Sequence, residues 1–155
     1  MEHDAHESTA LAAGWGVAAS ATLHCLTGCA IGEVLGMVIG TSLGWGNLAT
    51  IGLAVALAFV FGYAFTLVGV LRAGVGLAAA VKVALVADTL SITVMEIVDN
   101  AVMLAVPGAM DAGPGSVLFW ASLAFALTVA FFVAWPVNRW LISRGRGHAV
   151  VHQYH

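Results

Sequence analysis

Four stretches of the sequence, about residues 15–45, 48–71, 77–106 and 116–142, consist almost wholly of apolar residues. Each reaches or exceeds the roughly 20 residues that cross the hydrocarbon of a bilayer as a helix. The chain has 155 residues, of which 61% are hydrophobic and only 8% charged. That balance leaves too little polar surface for a water-soluble domain. The expected fold is therefore all-α: an integral membrane bundle of four transmembrane helices forming one domain over 15–142, with tails at 1–14 and 143–155.

The breaks between the spans have ordinary turn chemistry. Trp45-Gly46-Asn47 and Arg72-Ala73-Gly74 make short turns, and Pro107-Gly108 through Gly113-Pro114-Gly115 cannot continue a helix. The opening MEHDAHE lacks a basic segment followed by a short apolar core, so it is not expected to be a removable signal peptide. Arg72, Lys82, Arg139, Arg144 and Arg146 all fall in or beside the second connection or near the C-terminus. The positive-inside rule then puts both termini in the cytoplasm. Trp15, Trp45, Trp120 and Trp140 stand near span ends, where indoles favour the interface. With no basic run, nucleic acid is excluded as a partner, and the lipid bilayer is the partner the composition demands.

Several residues do not belong in hydrocarbon. In the first span they are His24, Cys25, Cys29, Glu33 and Met37, and in the third Asp88, Met95, Glu96, Asp99, Asn100 and Met103. The two spans run in the same direction, so depth can be compared by counting from their cytoplasmic ends at about 1.5 Å per residue. His24, Cys25 and Cys29 lie at about the depth of Asp88, whereas Glu33 and Met37 match the second group. At about 100° per residue, Asp88, Met95 and Asp99 share a narrow sector, flanked by Glu96 and Met103, with Asn100 further round. Cys25, Cys29 and Glu33 drift along one side of the first span, beside glycines at 28, 32, 36, 40 and 44. Glycine at every fourth position forms a flat groove for another helix, in the same chain or in a second subunit of a homo-oligomer.

No basic residue lies deep in any span to balance these acids. A carboxylate at mid-membrane costs about 2.5–3.5 kcal/mol on the mildest insertion scale. The acids must hold protons, pair with cations or meet water. A purely structural role would have them bond, protonated, to Asn100, Thr93 or Ser91. Cysteine and methionine suit Cu(I), whereas carboxylates and Asn100 suit Zn, Mn or a proton. The expected metal-binding residues are His24, Cys25, Cys29, Glu33, Met95, Glu96, Asp99 and Met103, with Asp88, Asn100 and Met37 on an ion or proton path. This is a graded path rather than one cage, since His24 points about 100° from Cys25. His148, His152 and His155, and His3 and His6, are spaced for metal loading in the tails.

The stretches "ATLHCLTGCAIGEVLGM", "SITVMEIVDNAVM" and "WPVNRW" resemble a bacterial membrane family catalogued as a domain of unknown function (DUF4396), over a range from about Ala21 to the C-terminal tail. The resemblance implies a membrane protein of bacterial origin and carries no activity with it.

The leading functional expectation is an inner-membrane protein that binds and translocates a metal cation, with copper as Cu(I) favoured and zinc as the alternative. A proton-coupled exporter of small molecules switching on Glu33 is the runner-up. A scaffold assembling through the glycine face accounts for the glycines alone. A thiol–quinone oxidoreductase is disfavoured, because such chemistry uses a close, exposed cysteine pair and these thiols lie in mid-helix. Bis-histidine haem would need a second intramembrane histidine beside His24. No enzymatic activity is expected.

Overall fold

The computed structural model describes the backbone of residues 2–144 and the side chains of residues 14–144, Val83 excepted. Four helices follow one another, α1 (Glu2–Ser42), α2 (Asn47–Arg72), α3 (Leu77–Ala105) and α4 (Val117–Ser143). Among the described residues all four contain a segment long and apolar enough to cross a membrane, the first over Gly14–Ser42. α1 ends at Ser42, short of the 45 expected from the sequence. The reason is local: Gly44 adopts φ +68, its N–H bonds Thr41 O, and the Trp45 N–H reaches Gly40 O at 2.9 Å. This pair of bonds closes a helix on a left-handed glycine. Gly74, at φ +84, ends α2 in the same way through Leu71 O and Val70 O. At the other end of α1, the acidic segment expected as a tail is helical from Glu2.

Successive helices joined by short turns run antiparallel. The 73–76 connection thus lies at one end of the bundle, here called the base, and the 43–46 and 106–116 connections lie at the top. Each helix packs on its two neighbours, most extensively α1 on α2; of the two diagonal pairs, α1 and α3 approach each other more closely than α2 and α4. Trp15, Trp45, Trp120 and Trp140 are all half exposed near helix ends, as interfacial indoles should be. Leu23, Leu48, Val60, Ile97, Leu104 and Phe125 present an apolar exterior.

The α1–α2 contact is two stripes of small residues. The buried residues of α2 recur every fourth position as Thr50, Ala54, Ala58, Gly62, Thr66 and Val70. Gly28 of α1 lies over Gly62, Gly32 over Leu57 and Ala58, Gly36 over Ala54, and Gly40 over Thr50. A Cβ at Gly32 would overlap the Leu57 carbonyl carbon, and one at Gly36 the Ala54 backbone. With no hydrophobic force between helices in lipid, such close backbone approach supplies the packing that holds them together. The glycine face is thus used within the chain, which removes it as the surface for a homo-oligomer or scaffold. It also stands about 100° round from the Cys25, Cys29 and Glu33 row, so the seam and the polar row occupy adjacent faces.

A polar tie joins α1 to α4. Asn138 Nδ2 donates to Thr22 Oγ1 at 2.8 Å, and the Thr22 hydroxyl donates to Ala18 O. Both side chains are buried. Asn138→Ala is expected to lower stability by about 1 kcal/mol, the usual size of an interhelical hydrogen bond in lipid. The measurement is unfolding by SDS titration in mixed micelles. Thr22 keeps its own carbonyl partner, so the loss should not exceed that figure.

Candidate functional site

α1 and α3 place their polar residues in the space along the bundle diagonal. Toward the base, the Cys25 and Cys29 thiols lie against each other, and Asp88 and Glu96 are acids close enough to Cys29 to act on it electrostatically. Both thiols are free and buried, packed with Met95, Ile92 and Ala58. Asp88 is fully buried. Further up, the carboxyls of Glu33 and Asp99 meet across the diagonal. Glu96 is the next acid within electrostatic reach of both. Met37 and Met103, buried with Ala54 and Phe119, close the column above.

The pairing of Glu33 with Asp99 dominates the electrostatics. Glu33 is 0% and Asp99 1% exposed, and among the described residues no donor group gives a hydrogen bond to any of their four oxygens. Asn100 Oδ1 is equally without a donor, because its amide nitrogen is turned to Glu96, to the carbonyl at 2.9 Å and to Oε2 at 3.4 Å. Five acceptor atoms thus lie in the core without an N–H or O–H to meet them. Two unit charges about 4 Å apart repel by about 4 kcal/mol even at an effective dielectric of 20. That repulsion adds to the cost of placing either acid in lipid. Only a proton or a cation between the two carboxyls turns the repulsion into attraction.

Not every expected residue joins this column. His24 is exposed, its ring set edge-on to Phe65 at 5.8 Å and near Gly69. It faces α2 and the exterior, one residue and a third of a turn away from the thiols. Thr93 is turned to its own helix, bonding Thr89 O, so it offers the acids nothing. Ser91 is fully buried, and among the described residues its hydroxyl has no hydrogen-bond partner; it lies one turn from Asp88 on the same face. His148, His152 and His155 lie outside the described residues, and the side chains of His3 and His6 do as well.

Among the described residues, no three His, Cys, Asp or Glu side chains are gathered closely enough to hold one metal ion. The column is a succession of pairs: two thiols, then two carboxyls. A soft ion such as Cu(I) can be held by two thiolates alone. Depth along the spans places the acids, whereas the only sequence signal for the Thr22–Asn138 tie is an asparagine within an otherwise apolar span.

Four apolar helices enclosing a buried file of thiols and acids define a multi-pass membrane protein with a polar interior. The chain belongs to the family described as "Domain of unknown function (DUF4396)", whose model matches residues 14–147. No curated protein and no solved structure matches it.

Proposed function

We propose that the protein binds a metal cation and carries it through the bundle interior of a bacterial inner membrane, with Cu(I) as the first candidate and Zn(II) as the second. Cys25 and Cys29, with Met95 beside them, capture the soft ion. Glu33, Glu96 and Asp99, with Asn100, pass charge or protons through the half nearer the top. His24 and the tail histidines would act at the entrance, outside the column. Both termini are cytoplasmic in this reading, which follows the basic residues near the base. Subunits of a homo-oligomer would meet on faces other than the glycine seam.

The observation that carries the proposal is the meeting of Glu33 and Asp99 without any donor group. A protein with no use for a cation or a proton at that point gains nothing from two acids there. In the experiment, purified protein is titrated with Cu(I) and with Zn(II), and cellular copper and zinc are measured with and without expression. The Cys25→Ser, Cys29→Ser double variant is expected to weaken Cu(I) binding by more than the roughly 10–100-fold that losing an outer-shell partner costs. If neither metal binds above background and cellular metal is unchanged, the reading is wrong. A drug-resistance assay on the same variants tests the exporter reading, which the meeting of Glu33 and Asp99 also favours: resistance to cationic drugs would then depend on Glu33 and be indifferent to both cysteines.

A further inference from the structure

The seam between α1 and α4 differs from the glycine seam on the other side of α1. It is open to the exterior as a groove of about 530 Å³ between Leu26, Ala30, Val34 and Leu127. A second groove of about 250 Å³ continues it toward the base between Leu23 and Phe131, sharing Leu26 and Leu127 with the first. The hydroxyls in these walls are turned away: Thr27 bonds Leu23 O and Thr128 bonds Ala124 O. The surface offered to a ligand is therefore methyl and methylene.

At its base end the groove runs into a cation. Leu127, Phe131, Trp135 and Arg139 recur every fourth residue of α4, a ridge of about 18 Å at 1.5 Å per residue. Phe131 and Trp135 are in ring contact at 5.7 Å, and Trp135 donates through Nε1 to Trp15 O at 3.1 Å. Arg139 lies over the Trp15 ring, 5.7 Å from its centre, and against Gly14, where a Cβ would come within 3.0 Å of the guanidinium carbon. The guanidinium is thus held in the α1–α4 seam, and among the described residues its Nε finds no hydrogen-bond acceptor.

We propose that this seam binds one anionic phospholipid, with the phosphate on Arg139 between Trp15 and Trp135 and an acyl chain along the groove from Phe131 to Val34. The dimensions agree, since one leaflet contributes about half of the roughly 30 Å hydrocarbon core. Apolar surface supplies shape but little affinity here, because lipid tails surround the protein everywhere. Selectivity comes from the headgroup: a guanidinium answers phosphate with paired donors, and its attraction is larger where the lipid carries net charge.

The test is native mass spectrometry of the full chain in detergent doped with equal phosphatidylglycerol and phosphatidylcholine. The unaltered protein is expected to retain the anionic lipid about fivefold more than the zwitterionic one. Arg139→Gln should bring that ratio close to one. Arg144→Gln, removing an equal charge that is exposed and stacked on Trp140, should leave it unchanged. Ala30→Phe keeps every charge and fills the groove, so it should reduce retention of both lipids; it also serves if Arg139→Gln does not fold. Equal retention of the two lipids by the unaltered protein overturns the proposal. So does an equal effect of the two arginine changes, which would mean general surface charge, or unaltered lipid retention by Ala30→Phe.

Discussion

Leucine at Gly32 is expected to abolish the folded protein, and alanine there to weaken it by about 1–3 kcal/mol, the usual cost of forcing a methyl into a packed interior. The added Cβ would meet the Leu57 and Ala58 backbone rather than the end of a movable side chain. α1 and α2 would have to separate along their whole seam to admit it. Gly36 against Ala54 should behave alike, and the double Gly32→Ala, Gly36→Ala variant should lose more than either change alone. Gly52 is the control, because its exposed side of α2 offers nothing within 4 Å of a new Cβ. Thermal melting and size-exclusion profiles in one detergent would record the series. A Gly32→Leu protein as monodisperse and as stable as Gly52→Leu would show that the α1–α2 seam is not formed as described.

Glu33→Gln and Asp99→Asn are expected to separate stability from function. Each change removes a charge and brings an NH2 group to a carboxyl that has no donor. A buried unsatisfied polar group costs about 1–3 kcal/mol, so either variant should be at least as stable as the parent. Cation or proton movement across the membrane should be lost in both, because an amide cannot release its proton to a neighbour or hold a cation by charge. Flux into proteoliposomes and melting temperature, measured on the same preparations, give the two readouts. Glu33→Gln that melts well below the parent would mean the carboxyl is a structural partner. Retained flux in both variants would take the acid pair out of the path.

The four spans were legible because hydrocarbon thickness sets a length and glycine or proline sets each break. The end of α1 was displaced from expectation only by Gly44, whose left-handed backbone closes the helix before Trp45. Depth was legible too: counting along two parallel helices put Glu33 opposite Glu96 and Asp99, and the carboxyls meet there. What lay beyond counting was the choice of neighbour. The glycine row names a face without naming its mate, and only the fold shows that Thr50, Ala54, Ala58 and Gly62 of α2 fill it. His24 follows from the same geometry, since a residue one step from Cys25 must turn away from the thiols and reaches Phe65 instead. The tie between Asn138 and Thr22 joins residues 116 positions apart, a pairing that no local pattern encodes.

The diagonal placement of α1 and α3 divides the polar file lengthwise. Cys25, Cys29 and Glu33 travel with the hairpin that the glycines lock together, and Asp88, Glu96 and Asp99 travel with the hairpin of α3 and α4. The two halves are not joined by a continuous backbone at the level of the acids. A tilt of one hairpin on the other by a few degrees, pivoting at the base, would therefore open the file most at the top, where Glu33 and Asp99 meet, and least beside the thiols. The rigid unit in such a motion is the pair of helices, and its hinge is the short turn at Gly74.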